Sequence, residues 1–250
     1  MNSDKKIEYI SKWIKEYVRS LKFQPVSLIV GVSGGIDSAV TSTICAITGF
    51  KTIAISMPIK QNSFQHNLSL KHLEWLNNNY DNVETKTIEL DKIFESFEDT
   101  MIDFNNDLAF ANSRSRIRMV TLYQVAQANK GIVVGTGNKV EDFGVGFYTK
   151  YGDGGVDISP IADCTKTDVW NMGKYLEVID EIIKAAPTDG LWDDNRNDES
   201  QLGLTYEQIE EAMENSNSKY FKQYTDIREP NLHKMIPIPV CKFPKESDEM

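Results

Sequence analysis

The chain has three cysteines in 250 residues, Cys45, Cys164 and Cys241, far apart and in no C-x-x-C pair. That number and spacing exclude a disulfide framework and give no zinc signature. Basic residues are the minority, 27 against 37 acidic ones, for a net charge of −10. Such a chain has no basic field to hold a phosphate polymer, so no nucleic-acid partner is expected. No apolar run approaches the ~18 residues of a membrane span and no signal peptide is present, which predicts a cytoplasmic protein without a membrane partner. Internal repeats, low-complexity tracts and a recognisable linker are also missing. A single domain over 1–250 is therefore expected, long enough to bury a proper core. Two common nucleotide motifs are absent as well: no Lys follows the first glycine pair as a Walker A loop requires, and no G-x-G-x-x-G spacing occurs there.

In their place stands residues 28–40, Leu-Ile-Val-Gly-Val-Ser-Gly-Gly-Ile-Asp-Ser-Ala-Val. An apolar run of strand length passes through two hydroxyls, two glycines and an aspartate into a helical pattern that Gly49 closes. Gly34 and Gly35 permit positive φ and close approach of backbone N–H groups to an anion. The helix behind them adds unpaired N–H groups and a positive dipole end. Ser33 and Ser38 are candidate donors to phosphate, and Asp37 is a candidate ligand for the Mg²⁺ that travels with a nucleotide. A plain strand-to-helix turn needs one glycine, not two flanked by Ser and Asp-Ser. The run from Ser33 to Ser38 resembles the S-G-G-x-D-S pyrophosphate loop of the N-type ATP pyrophosphatases, which cut ATP between its α- and β-phosphates.

Apolar periodicity predicts a helix over 4–22, strands over 27–32, 51–57, 83–90 and 131–135, and helices between them, the longest over 107–129. Asp91 is read as the N-cap of a helix whose Phe94, Phe97 and Phe104 form a core stripe. Strands alternating with helices predict an α/β fold: a doubly wound parallel sheet with helices on both faces. Ligands in such sheets sit beyond the carboxyl ends of the strands, so the 33–38 and 136–141 loops should face one crevice. Residues 136–163 are glycine-rich and aperiodic. Thr165 to Asp168 and Thr205 to Gln208 fit capping boxes. The acidic stretch 186–203 is read as structureless and, from its length and its Leu191-Trp192 pair, as a lid over the site.

Phe147-Tyr148-Thr149-Lys150-Tyr151-Gly152-Asp153-Gly154-Gly155, Lys166, Ala186-Pro187-Thr188, Asp198-Glu199 before Leu202-Gly203, and His233-Lys234 follow in that order. Together they resemble the NAD synthetases, and the matches run from 31 to 234. The resemblance implies an adenine nucleotide alpha hydrolase-like fold and a homodimer. It also implies an ATP-dependent reaction in which the nicotinate carboxylate of deamido-NAD is adenylated with release of pyrophosphate. Ammonia then displaces AMP to give NAD. Residue by residue, it implies ATP contacts at Gly31, Val32, Ser33, Gly34, Gly35, Ile36, Asp37, Ser38, Thr136, Lys166 and Thr188. Mg²⁺ ligands are implied at Asp37 and Glu141, and deamido-NAD contacts at Arg116, Lys150, Asp157, His233 and Lys234. Asp37, Lys166 and Lys150 are the catalytic candidates. The substrate carboxylate is itself the nucleophile, so positioning and charge stabilisation are what the protein must supply.

The chain departs from the family pattern in three places, one of them Ser115, which stands where the family commonly has Ala before its arginine. Gly135-Thr136-Gly137-Asn138-Lys139-Val140-Glu141 replaces the G-T-D-H-A-x-E of short members, and one extra residue separates Glu141 from Lys150. No cysteine has the context of an activated nucleophile and no glutaminase domain is expected, so free ammonia is the implied nitrogen donor. Two alternatives stay open: the same chemistry on nicotinate mononucleotide, or a non-catalytic adenine-nucleotide sensor on this fold. Arg114 and Arg118, four apart on a helix, read equally as a solvated face. Cys45 reads as core, and His66 and His72 carry no functional assignment.

Overall fold

The computed structural model describes residues 1–61, 63–187 and 198–243. Thr188 and most of the acidic stretch read as a lid lie outside the described residues.

Four short strands, β1 (Ser27–Gly31), β2 (Lys51–Ser56), β3 (Val83–Thr87) and β4 (Gly131–Val134), form one parallel sheet in the order β3-β2-β1-β4. Register pairs Leu28 with Thr52 and with Ile132, so β1 lies between its neighbours with both edges satisfied. Successive strand residues point to opposite faces, and the sequence uses both. Leu28, Val30, Ala54 and Ile132 pack on α1 (Ser3–Ser20), α2 (Ile36–Ile47), α3 (Ser63–Asn79) and α6 (Lys166–Tyr175). Ile29, Ile53, Ile55 and Val133 pack on α4 (Asp91–Thr100) and α5 (Asp107–Ala128). The doubly wound sheet expected from the sequence is the one observed. Short α7 (Asp180–Lys184) follows α6 on the first face.

Beyond β4 a third apolar cluster forms around Tyr206, Val140 and Val145. It joins a π-helical turn, Lys139–Val145, to α8 (Asp198–Leu202), α9 (Tyr206–Glu214) and α10 (Phe221–Arg228), with α11 (Leu232–Met235) after them. A π turn, bonding i to i+5, is the form an inserted residue takes in a helix. It falls where the chain carries its extra residue before Lys150. Both capping boxes are present, at Thr165/Asp168 and Thr205/Gln208.

Three local expectations change. Asp91 is the first helical residue, not the cap, because its carboxylate accepts the Lys60 N–H at 2.6 Å while Leu90 occupies the cap position. Phe94 is fully buried but Phe104 is 76% exposed, because α4 stops at Thr100 and a 3₁₀ turn carries Phe104 off the stripe. The end of the acidic stretch is helical, as α8.

Candidate functional site

The loop after β1 is held by its own hydroxyls. Ser38 Oγ donates to Gly35 O at 2.9 Å and accepts from Ser33 N–H at 3.2 Å, while Gly35 N–H donates to Ser33 Oγ at 3.2 Å. The sequence reading gave these serines to phosphate; here they brace the loop that offers its backbone. Gly35 caps α2 without any side-chain hydrogen bond, so the first N–H groups of a twelve-residue helix are left facing the crevice. Gly34 has φ +92°, and a Cβ there would sit 2.5 Å from Gln65 O on α3. Only glycine lets the loop lie this close.

That loop and the segment after β4 open onto one cavity of about 530 Å³, as the sheet topology requires. Gly31, Val32, Ser33, Gly34, Gly35, Ile36, Asp37 and Ser38 all line it, with Thr136, Glu141 and Lys166. At its floor Lys166, only 2% exposed, places Nζ 2.6 Å from Asp37 Oδ2 and 2.8 Å from Glu141 Oε1. Three chain segments meet there, from α2, the π turn and the start of α6. Asn138, fully buried, organises two of them. Its Nδ2 donates to Asp37 Oδ1 at 3.0 Å, and its Oδ1 accepts from Val140 and Glu141 N–H at 3.0 Å each. Tyr206 donates to Glu141 Oε1 at 2.5 Å and lies 3.1 Å from Asp198 Oδ2. The Lys166 ammonium sits 4.9 Å from the Tyr206 ring centre and 6.0 Å from that of Trp170.

Charge is concentrated here in low dielectric. Burial pushes the Asp37 carboxyl above its usual range, against the pull of Lys166. Burial acts on Glu141 too, but Lys166 and the Tyr206 hydroxyl outweigh it and hold its carboxyl below the usual value. Burial would depress Lys166, yet the two carboxylates raise it, so it stays an ammonium. Burial, with Glu141 and Asp198 adjacent, drives the Tyr206 phenol upward and keeps it a donor. A neighbouring wall is acidic as well: burial and Asp153 raise Asp142 well above the usual range.

Among the described residues no three His, Cys, Asp or Glu side chains cluster closely enough to hold a metal by themselves. Two hard carboxylates beside a phosphate cradle are nevertheless what Mg²⁺ uses, since it takes one or two carboxylates and completes its shell with phosphate oxygens and water. The donor set fits a nucleotide-borne Mg²⁺ and not a dedicated protein cage.

Of the substrate candidates, Lys234 lines the cavity, donating from Nζ to Tyr148 O at 2.8 Å while the Tyr148 hydroxyl donates to Lys234 O at 2.5 Å. Arg116, Lys150, Asp157 and His233 are outside its lining. Arg116 Nε donates to Lys150 O at 3.4 Å and Lys150 Nζ to His233 O at 3.0 Å, so these three make an exposed chain next to the rim. Asp157 accepts Val133 N–H at 2.7 Å and the Tyr123 hydroxyl at 3.1 Å, which pins the glycine-rich loop to β4.

Sequence reasoning missed Arg118, whose guanidinium lines the cavity and donates from Nε to Met57 O at 2.9 Å. Burial and nearby Arg114 lower it to about 10, still a cation at neutral pH. It also missed Asn138, Tyr206 and the role of Asp198. Asn138 had a signal, a polar side chain at a strand's carboxyl end; Tyr206 had none, since it reads as one more core aromatic.

A sequence model described as NAD synthase matches residues 6–242. The chain belongs to the NAD synthase family. It is 36% identical over 221 residues to the NH(3)-dependent NAD(+) synthetase of Finegoldia magna, covering 88% of each chain. It is 35% identical over 235 residues to that of Mesoplasma florum, covering 92% of this chain and 91% of the other. Among solved structures it superposes on the NMN synthetase of Francisella tularensis with a TM-score of 0.88 at 29% identity, over 97% of this chain and all of that one. The NH3-dependent NAD synthetase of Campylobacter jejuni gives a TM-score of 0.79 at 24% identity over the same shares, a likeness of fold. In this chain the carboxylate–lysine–carboxylate floor and the uncapped α2 terminus stand on one crevice.

Proposed function

We propose that the chain is an ammonia-dependent NAD synthetase. The substrate carboxylate attacks the α-phosphorus of ATP, the bond to the β-phosphate breaks, and pyrophosphate leaves. Ammonia then attacks the adenylated carbonyl carbon, the C–N bond forms, a proton is lost and AMP departs. The observation carrying this reading is the single cavity that joins the α2 N-terminus to Asp37, Glu141 and Lys166. N–H groups of α2 take the departing pyrophosphate, and the Lys166 ammonium stabilises charge that develops on the phosphates. Mg²⁺, held by Asp37 and Glu141 together with the triphosphate, would supply further charge neutralisation. Thr136 faces the nucleotide from the β4 side, and Lys234 holds the pyridine substrate. Arg116, Lys150 and His233 receive the part of that substrate that extends over the rim. Asp157 acts by fixing the loop that carries Lys150.

The reading extends to a homodimer in the cytoplasm, with free ammonia as donor. Exposed Leu108 and Val120 on α5, and Tyr9 on α1, support an interface there. Light scattering tests the dimer. For the reaction, pyrophosphate release should require deamido-NAD, ATP, Mg²⁺ and ammonia together, and glutamine should not replace ammonia. Release that ignores deamido-NAD would remove the assignment.

One observation favours a second reading, nicotinate mononucleotide as the acceptor. The likeness to the Francisella tularensis NMN synthetase, at a TM-score of 0.88, exceeds the 0.79 to the Campylobacter jejuni NAD synthetase. Comparing kcat/KM for the dinucleotide and mononucleotide decides between them.

A further inference from the structure

A divalent cation and the Lys166 ammonium require the same oxygens. Asp37 Oδ1 takes the Asn138 amide, Asp37 Oδ2 takes Lys166, and Glu141 Oε1 takes both Lys166 and Tyr206. A metal bridging the two carboxylates would meet an ammonium already between them, and two cations in a buried site repel strongly. Lys166 is also firmly placed. It is the first residue of α6, behind the Thr165/Asp168 capping box, and its ammonium lies over the rings of Trp170 and Tyr206 in a side chain that is 2% exposed. It cannot turn into water without uncovering the carboxylates it neutralises. What would release it is another anion within the cavity, and the uncapped α2 terminus beside Asp37 is where a triphosphate would lie.

We propose that Lys166 is the built-in counter-ion of the metal site, closing Asp37 and Glu141 to a divalent cation until the triphosphate offers its ammonium a different partner. The proposal rests on the reading that Asp37 and Glu141 hold the metal. Its consequence is an order of loading. Metal enters with the nucleotide, and the free protein holds none. The triphosphate both draws off the ammonium and supplies the remaining metal ligands.

Electron paramagnetic resonance of free Mn²⁺, titrated into the full chain, tests this without turnover. The natural chain should retain Mn²⁺ with a non-hydrolysable ATP analogue and none without it. Lys166→Met, checked for folding by circular dichroism, should retain Mn²⁺ with no nucleotide, at least about tenfold more tightly than the natural chain. Should that variant fail to fold, the ¹⁵Nζ resonance of Lys166 in the natural chain serves instead. Mg²⁺ alone should leave it unmoved, and the analogue with Mg²⁺ should shift it. Nucleotide-free Mn²⁺ binding by the natural chain equal to that of Lys166→Met, or a Lys166 signal moved by Mg²⁺ alone, overturns the proposal while leaving the metal ligands in place. Retention of Mn²⁺ and analogue by Asp37→Asn and Glu141→Gln as in the natural chain overturns the metal assignment itself, and the proposal with it.

Discussion

The Tyr206 hydroxyl donates to Glu141 Oε1 at 2.5 Å, the same oxygen that receives Lys166. One phenol proton therefore fixes the carboxylate that, with Asp37, frames the floor of the cavity. Asp198 Oδ2, 3.1 Å away, is the competing acceptor, and the shorter contact shows where the proton goes. Tyr206→Phe keeps the ring that covers Lys166 and removes only the hydroxyl. A buried hydrogen bond to a charged group contributes about 1.5–3 kcal/mol, so kcat/KM for MgATP should fall roughly ten- to hundredfold. The concentration of Mg²⁺ needed for half-maximal rate should rise while KM for the pyridine substrate stays put. A uniform loss in all three would mean the hydroxyl serves the fold alone.

Asp37→Asn and Glu141→Gln each remove one charge from the Lys166 cluster and keep the shape. Each should cut turnover by roughly 10²-fold or more, the scale of losing one preorganised charge-stabilising group. Lys166 retains one carboxylate in either variant, so both chains should still fold. Near-normal turnover from either would take that residue out of the site.

How far the sequence led can be seen at particular residues. Ser33 to Ser38 was legible because the motif needs glycine for backbone reasons and Asp for chemical ones, and two independent demands leave little room for chance. The shared crevice followed from strand alternation, since the carboxyl ends of parallel strands all face one way. Lys166 was visible only through the resemblance to a family. Alone it is a lysine at a helix start, and its burial depends on Asp37 and Glu141 arriving from 129 and 25 residues away. Tyr206 was illegible for a related reason: an apolar ring hides a hydroxyl whose value depends on its neighbour. Arg116 and Arg118 differ by two positions, a rotation of about 200° around a helix, and local sequence did not say which of them faces inward.

That difference is itself testable. Arg118→Met should raise KM for at least one of the two nucleotide substrates by about tenfold or more, the scale of one charge-assisted hydrogen bond. Arg118→Lys should recover only part, because a lysine cannot hold Met57 O and an anion with one planar fork. Arg116→Met, on the outer side of α5, should leave KM for ATP unchanged. Steady-state kinetics with each substrate varied separately checks all three, and an Arg118→Met chain with both KM values intact removes Arg118 from the binding site.

Behind the phosphate loop, His72 makes stability depend on acidity. Its ring is fully buried between α3 and α2, stacked on Trp75 at 5.5 Å, with Nε2 2.9 Å from Ser42 Oγ. Ser42 Oγ lies 2.7 Å from Ser38 O, a carbonyl that only accepts, so the serine proton goes there and His72 Nε2–H must donate to Ser42. Nδ1 is then the bare nitrogen, and it is buried with no hydrogen-bond partner. Protonating it would create an unsolvated charge, and burial accordingly lowers the imidazole from 6.5 to about 4. The unfolded chain binds this proton below about pH 6.5, and the folded chain does not until about pH 4. The His72 contribution is therefore fully present above the unfolded value and is lost as pH falls from there toward the folded one. Between pH 6.5 and 5 the loss should reach about 2 kcal/mol, at 1.36 kcal/mol for each unit. Buried Asp142 and Asp153, both raised by burial, titrate with the opposite sign, so the raw pH profile mixes the effects. The difference between the natural chain and His72→Leu isolates the histidine. Urea unfolding at pH 7.5 and 5.0 should show the natural chain losing about 2 kcal/mol more than the variant over that interval. Equal losses in the two chains would mean that the imidazole finds an acceptor when charged, and that the loop's support is not acid-sensitive.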